Sequence, residues 1–146
     1  GKACEPASLN IKEEQNKIKT LRDKLENNLL QRVPSTRVNG DRIHRLPNTS
    51  NISFEFIEGE AILLLLSDKG IAASSGTACT SGSLEPSHVL RSMGVPFTHA
   101  HGSIRFSLSR YTTEEEIDNV VNELVPIIDR LRAISPFGPK NKASIH

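Results

Sequence analysis

The stretch Gly102-Ser103-Ile104-Arg105-Phe106-Ser107-Leu108-Ser109 decides how this chain of 146 residues folds. Ile104, Phe106 and Leu108 alternate with polar residues at the period of two that a strand imposes. They share one face, which leaves Ser103, Arg105 and Ser107 on the other. A strand that is apolar on one side needs a cover on that side, and the chain supplies one directly. Thr112-Thr113-Glu114-Glu115-Glu116 reads as a capped helix start with acids in the first turn, where the helix dipole favours them. Ile117, Val120, Val121, Leu124, Ile128 and Leu131 then carry an apolar stripe to about residue 132. Pro126 falls inside that stripe and predicts a kink or a local break, because it removes a backbone donor.

Upstream, Asn51-Ile52-Ser53-Phe54-Glu55-Phe56-Ile57 alternates in the same way and predicts a second half-buried strand, with Ile52, Phe54 and Phe56 on one face. Asn10 with Glu13, followed by Ile11, Ile18, Leu21, Leu25 and Leu29, predicts a long amphipathic helix over 11–30. Lys12, Glu13, Lys17, Arg22 and Asp23 form its solvated, mixed-charge face, and Pro34 follows its end. Asn39-Gly40 signals a turn. Residues 59–69, apolar nearly all round from Ala61 to Leu66, predict a short buried helix stopped at Gly70. Residues 71–73 then predict a short buried strand. Residues 84–94 predict a short helix with Pro86 at its first position and Gly94 as its stop. The resulting order is helix, strand, helix, strand, loop, helix, strand, helix. It predicts an α+β fold of two layers, a small antiparallel or mixed sheet covered on one face by the two long terminal helices. A single domain over 1–134 and a mobile tail over 135–146, with Pro136, Gly138 and Pro139, complete the expectation.

Composition narrows the function classes. Scattered charges, 18 basic against 17 acidic, give no electrostatic footprint for nucleic acid or an anionic membrane. The longest apolar run, Ala61 to Leu66, is far too short to span a bilayer, and no secretory signal is present. The two cysteines, Cys4 and Cys79, have neither metal-ligand spacing nor a Cys-x-x-Cys arrangement, so no metal site is expected and a reduced intracellular compartment is. The one methionine is Met93 and the chain opens Gly1-Lys2-Ala3-Cys4, which suggests a piece of a longer protein whose constellations are half-sites.

Chemistry is concentrated in Ser74-Ser75-Gly76-Thr77-Ala78-Cys79-Thr80-Ser81-Gly82-Ser83. This run of small and hydroxylated residues has the period of neither helix nor strand, and so reads as a loop slung between a strand and a helix. Cys79 there is either an incidental surface thiol or a reactive one on a movable mount, since thiols that act as small hydrophobes have apolar neighbours. Arg105 is likewise open to two readings: a surface arginine in a salt bridge, or a planar fork for a substrate carboxylate. Among His88, His99 and His101, the last is the best placed in sequence to move a proton, four residues before Arg105, with an uncatalytic loop histidine as the plainer alternative.

Taken together, 74–90 with Cys79, His101-Gly102-Ser103-Ile104-Arg105-Phe106-Ser107, Arg110-Tyr111-Thr112-Thr113-Glu114-Glu115-Glu116-Ile117-Asp118 and Leu46-Pro47-Asn48-Thr49-Ser50-Asn51-Ile52-Ser53-Phe54 resemble the C-terminal part of the NifS/IscS-type cysteine desulfurases. The long cysteine loop matches the first group of that family, and Thr77 stands where many members have serine. The resemblance implies the small domain of a fold-type I, pyridoxal-phosphate-dependent enzyme of the class-V aminotransferases. It implies that Cys79 takes sulfur from L-cysteine as a persulfide, that L-alanine is released, and that Arg105 holds the substrate carboxylate. It further implies a homodimer, and delivery to an iron-sulfur scaffold or another sulfur-acceptor protein in the cytoplasm. The family's Ser-His-Lys cofactor motif is absent. The cofactor is therefore expected on a large domain outside this chain, and the chain alone is expected to be inactive. The competing expectations are a separate sulfur-acceptor or partner-binding module, and a dimer half whose cysteine is incidental.

Overall fold

The computed structural model describes residues 1–2, 11–75 and 87–136. Helix α1, Ile11–Arg32, leads into strand β1, Thr36–Asn39, and then strand β2, Thr49–Phe54. Helix α2, Gly59–Asp68, is followed by the two-residue strand β3, Ser74–Ser75. Two short helices, α3 (His88–Ser92) and α4 (Phe97–Ala100), precede strand β4, Ser103–Ser107, and helix α5, Glu114–Ile134. The strands form one sheet in the order β1-β2-β4-β3, antiparallel throughout. This is an α+β fold with a small open sheet.

One face of the sheet carries the core. Ile52 and Phe54 of β2 and Ile104 and Phe106 of β4 pack with Leu25 and Leu29 of α1, Ile62 and Leu66 of α2, and Leu124 and Ile128 of α5. The alternation in 102–109 therefore does what it predicts. Ile104, Phe106 and Leu108 are buried, while Arg105 and Ser107 are exposed. Helix α5 starts on a reciprocal capping box: Glu116 N donates to Thr113 Oγ1 at 3.2 Å, and Thr113 N donates to the Glu116 carboxylate at 2.9 Å. Gly102 has no alternative residue, because a Cβ there would lie 2.0 Å from the Phe54 carbonyl oxygen.

Several expectations are corrected. Strand β1 is not among the expected elements, since Val38 is the single apolar residue in Thr-Arg-Val-Asn and shows no period. Strand β2 ends at Phe54 rather than continuing to 57, because Phe56 takes a φ of 72° and leaves the extended region. The strand expected over 71–73 pairs only from Ser74. Ile71 N instead donates to Leu66 O, closing the end of α2 around Gly70, whose φ is 73°. Helix α2 is not buried all round, as Leu64 is 67% exposed. Helix α3 begins at His88 with Ser87 as its N-cap residue, and Gly94 with a φ of 71° follows its end; residues 84–86, including Pro86, lie outside the described residues. Pro126 does not break α5. It lies on the exposed side, where solvent can serve the carbonyl it leaves unpaired.

Arg22 was assigned to the solvated face of α1, yet it is buried. It donates to Asp23 Oδ1 at 2.7 and 3.0 Å and to the Leu46 carbonyl at 3.0 Å. Beside it, fully buried Glu26 accepts both arms of Arg45 at 2.7 Å and the Ser50 hydroxyl at 2.6 Å. These bonds tie the segment before β2 to α1. They also hold the Arg45 guanidinium protonated more firmly than usual. At the other end, Ser135 donates its hydroxyl to the Phe56 carbonyl. Asn10, Cys4 and residues 137–146 lie outside the described residues.

Candidate functional site

The face of the sheet away from the long helices is polar. Register aligns Asn39, Asn51, Arg105 and Ser74 in one row running across β1, β2, β4 and β3. Arg37, Ser53 and Ser103 form the next row. Residues directly opposite each other in an antiparallel pair project from the same face with Cβ atoms about 4.5–5.5 Å apart. Arg105 therefore stands between Asn51 and Ser74, and its Nη2 donates to Ser74 Oγ at 3.4 Å. Ser74 is its hydrogen-bond partner among the described residues.

The row is anchored at its β1 end. Asn39, only 6% exposed, donates through Nδ2 to Asn51 Oδ1 at 2.6 Å and to Ser53 Oγ at 2.7 Å. Its own Oδ1 is buried and accepts nothing from a described residue. An unpaired buried acceptor of this kind costs about 1–3 kcal/mol, so the orientation of this carboxamide is held at some expense. Sequence reading did not find Asn39, Asn51, Ser53 or Ser74 as site residues. The alternation in 51–57 does put Asn51 opposite Ile52 and Phe54. Only the pairing of β2 with β4 puts it beside Arg105.

His101 is placed differently. It caps α4, its Nδ1 is 3.4 Å from Glu58 Oε2, and its ring meets that of Phe97 edge to face at 4.3 Å between centroids. Its Nε2 is buried with no partner among the described residues. His99 pairs with Glu55 at 3.6 Å, and His88 is exposed. None of these contacts joins a histidine to Arg105. Cys79 lies outside the described residues, four positions beyond Ser75.

Pyridoxal phosphate requires an amine to hold its aldehyde, and among the described residues this face offers none. No residue of the four strands is lysine, and Lys12, Lys17, Lys19, Lys24 and Lys69 lie on α1 and at the end of α2. What the face does offer is an exposed cation flanked by neutral hydrogen-bonding groups, a combination able to take a carboxylate. A cleft of about 370 Å³ between Gly70–Ala72, Phe106–Leu108 and the start of α5 is not lined by Arg105 or Ser74. Among the described residues there is no cluster of His, Cys, Asp and Glu able to hold a metal ion, and no helix is long and apolar enough to cross a membrane.

The chain is similar to proteins named as cysteine desulfurases. It is 61% identical to a cysteine desulfurase of Azotobacter chroococcum mcd 1 over 97% of this chain and 36% of the relative. It is 60% identical to the cysteine desulfurase NifS of Azotobacter vinelandii over 97% of this chain and 35% of the relative. It thus spans about a third of the length of these relatives. Among solved structures it superimposes on a NifS-like protein with a TM-score of 0.75 at 32% identity, covering 89% of this chain and 32% of that one. It also matches a NifS-like protein from Rickettsia africae ESF-5 with a TM-score of 0.70 at 34% identity, covering 82% of this chain and 30% of that one. The model of the aminotransferase class-V family matches residues 3–120, and the chain belongs to that family.

Proposed function

We propose that this chain is the small domain of a pyridoxal-phosphate-dependent cysteine desulfurase and that Cys79 is its sulfur carrier. The observation that supports this most is the position of Arg105. Its side chain stands on the polar face of β4, beside Ser74 of β3, the strand from which the chain runs on to Cys79. At about 3.3–3.6 Å per residue, chain connectivity keeps the Cα four residues past Ser75 within about 14 Å of the Ser75 Cα. The reading has a carboxylate seated on Arg105 and the L-cysteine sulfur presented to the Cys79 thiol, which the tether length allows. The Cys79 thiolate attacks the substrate sulfur, the carbon–sulfur bond breaks, and the carbon takes up a proton. L-cysteine and the thiol thereby become L-alanine and a Cys79 persulfide, with no outside oxidant needed. His101, with its ring against Glu58, is the candidate for moving a proton.

The cofactor supplies the electron sink when bound, and it would be held by protein beyond this chain, since the polar face offers no amine among the described residues. The chain on its own would bind no cofactor through a lysine and would release no alanine. The whole protein would work as a cytoplasmic homodimer passing sulfur to an iron-sulfur scaffold or another acceptor thiol. The experiment is Cys79→Ala in the full-length protein, with L-alanine release and persulfide measured alongside cofactor absorbance. The reading requires release and persulfide to disappear while the absorbance stays. Undiminished alanine release would overturn it.

A further inference from the structure

We infer that Asn51 is a second donor for the carboxylate seated on Arg105, and that Asn39 is the positioning residue that aims it. The inference rests on the reading of Arg105 given above and adds to it the neutral half of the pocket. Asn51 is the direct cross-strand neighbour of Arg105, on the same face of the sheet. Its Oδ1 is taken by Asn39 Nδ2 at 2.6 Å, on the β1 side. That bond turns the Asn51 amide so that its two N–H groups face away from β1, and they donate to no described residue. Asn39 is itself locked by its bond to Ser53 Oγ, on a hydroxyl that is fully buried. A guanidinium on β4 and an oriented amide on β2 are the two sides of a clamp for one planar anion. The row Asn39–Asn51–Arg105–Ser74 sets its line, with Ser74 steadying the guanidinium from the far side.

The test uses the full-length protein with its cofactor and compares L-cysteine with L-cysteinamide, which lacks the negative charge. Asn51→Ala should raise the KM for L-cysteine about tenfold with kcat nearly unchanged, and leave KM for the amide where it was. Asn51→Asp, which still accepts from Asn39 but cannot donate and adds a negative charge, should lose at least as much. Asn39→Ala should give a smaller, carboxylate-dependent loss, with circular dichroism checking that the fold is retained. If Arg105→Ala abolishes the preference for L-cysteine while Asn51→Ala or Asn51→Asp preserves it, the inference about Asn51 falls and the reading of Arg105 stands. If Arg105→Ala itself leaves the preference intact, the reading of Arg105 falls and takes the inference with it.

Discussion

At the scale of single residues, the close approach at Gly102 is the most demanding position in the sheet. Its backbone lies against Phe54, whose N–H donates to the Gly102 carbonyl at 2.9 Å, and any Cβ would overlap the Phe54 carbonyl. Gly102→Ala should therefore destabilise the protein by about 4 kcal/mol or more, read from urea unfolding; a loss below about 1 kcal/mol would mean the strands do not meet there. A milder effect belongs to Asp41, whose carboxylate accepts from the Ile43 and His44 N–H groups at 2.7 and 2.8 Å. The His44 N–H chiefly, and the Ile43 N–H after it, lower its pKa from the ordinary 3.8. A lowered folded pKa means that the contribution is present above the unfolded value and is lost as pH falls through the folded one. An NMR titration should find Asp41 still ionised at pH 3.8, and a midpoint at or above that value would contradict the capped turn. Arg105 was legible from alternation alone. Its neighbours Asn51 and Ser74 were not, because strand pairing is a long-range property that no local period encodes.

At the scale of elements, the long terminal helices and the strands β2 and β4 follow directly from their apolar periods. The misses are the elements with too little apolar residue to show a period: β1 with Val38 alone, β3 with two serines, and α4 with four residues. The segment before β2 was also illegible, since it is held by charge rather than by burial of hydrocarbon. Arg45→Ala would leave the fully buried Glu26 carboxylate without its two-armed partner, and should cost about 3–5 kcal/mol in urea unfolding. A change under 1 kcal/mol would show that the pair contributes little there. In α5, Pro126 sits in an unbroken helix on its exposed side. Pro126→Ala should stabilise the protein by about 2 kcal/mol, the helix penalty of proline less its restriction of the unfolded chain. A loss of stability would mean that the ring makes contacts worth more than that penalty.

At the scale of the whole molecule, the sheet is covered by helices on one face and presents a polar row on the other, with the cysteine segment leaving from its edge strand. The two-layer arrangement was readable because an apolar face on one side only has few ways to be covered. The candidate site was readable only in part, since an arginine and a cysteine can be picked out of a sequence but the residues that strand pairing sets beside them cannot. The central claim is that Cys79 receives sulfur from L-cysteine. The direct measurement is to expose the full-length, cofactor-loaded protein to L-cysteine labelled with a heavy sulfur isotope, trap thiols and persulfides, and read the Cys79 peptide by mass spectrometry. One labelled sulfur should appear on Cys79, and none on the same peptide from an Arg105→Ala variant at limiting substrate. Labelled sulfide and alanine released in stoichiometric amounts under the same trapping, with Cys79 never carrying the label, would contradict the account.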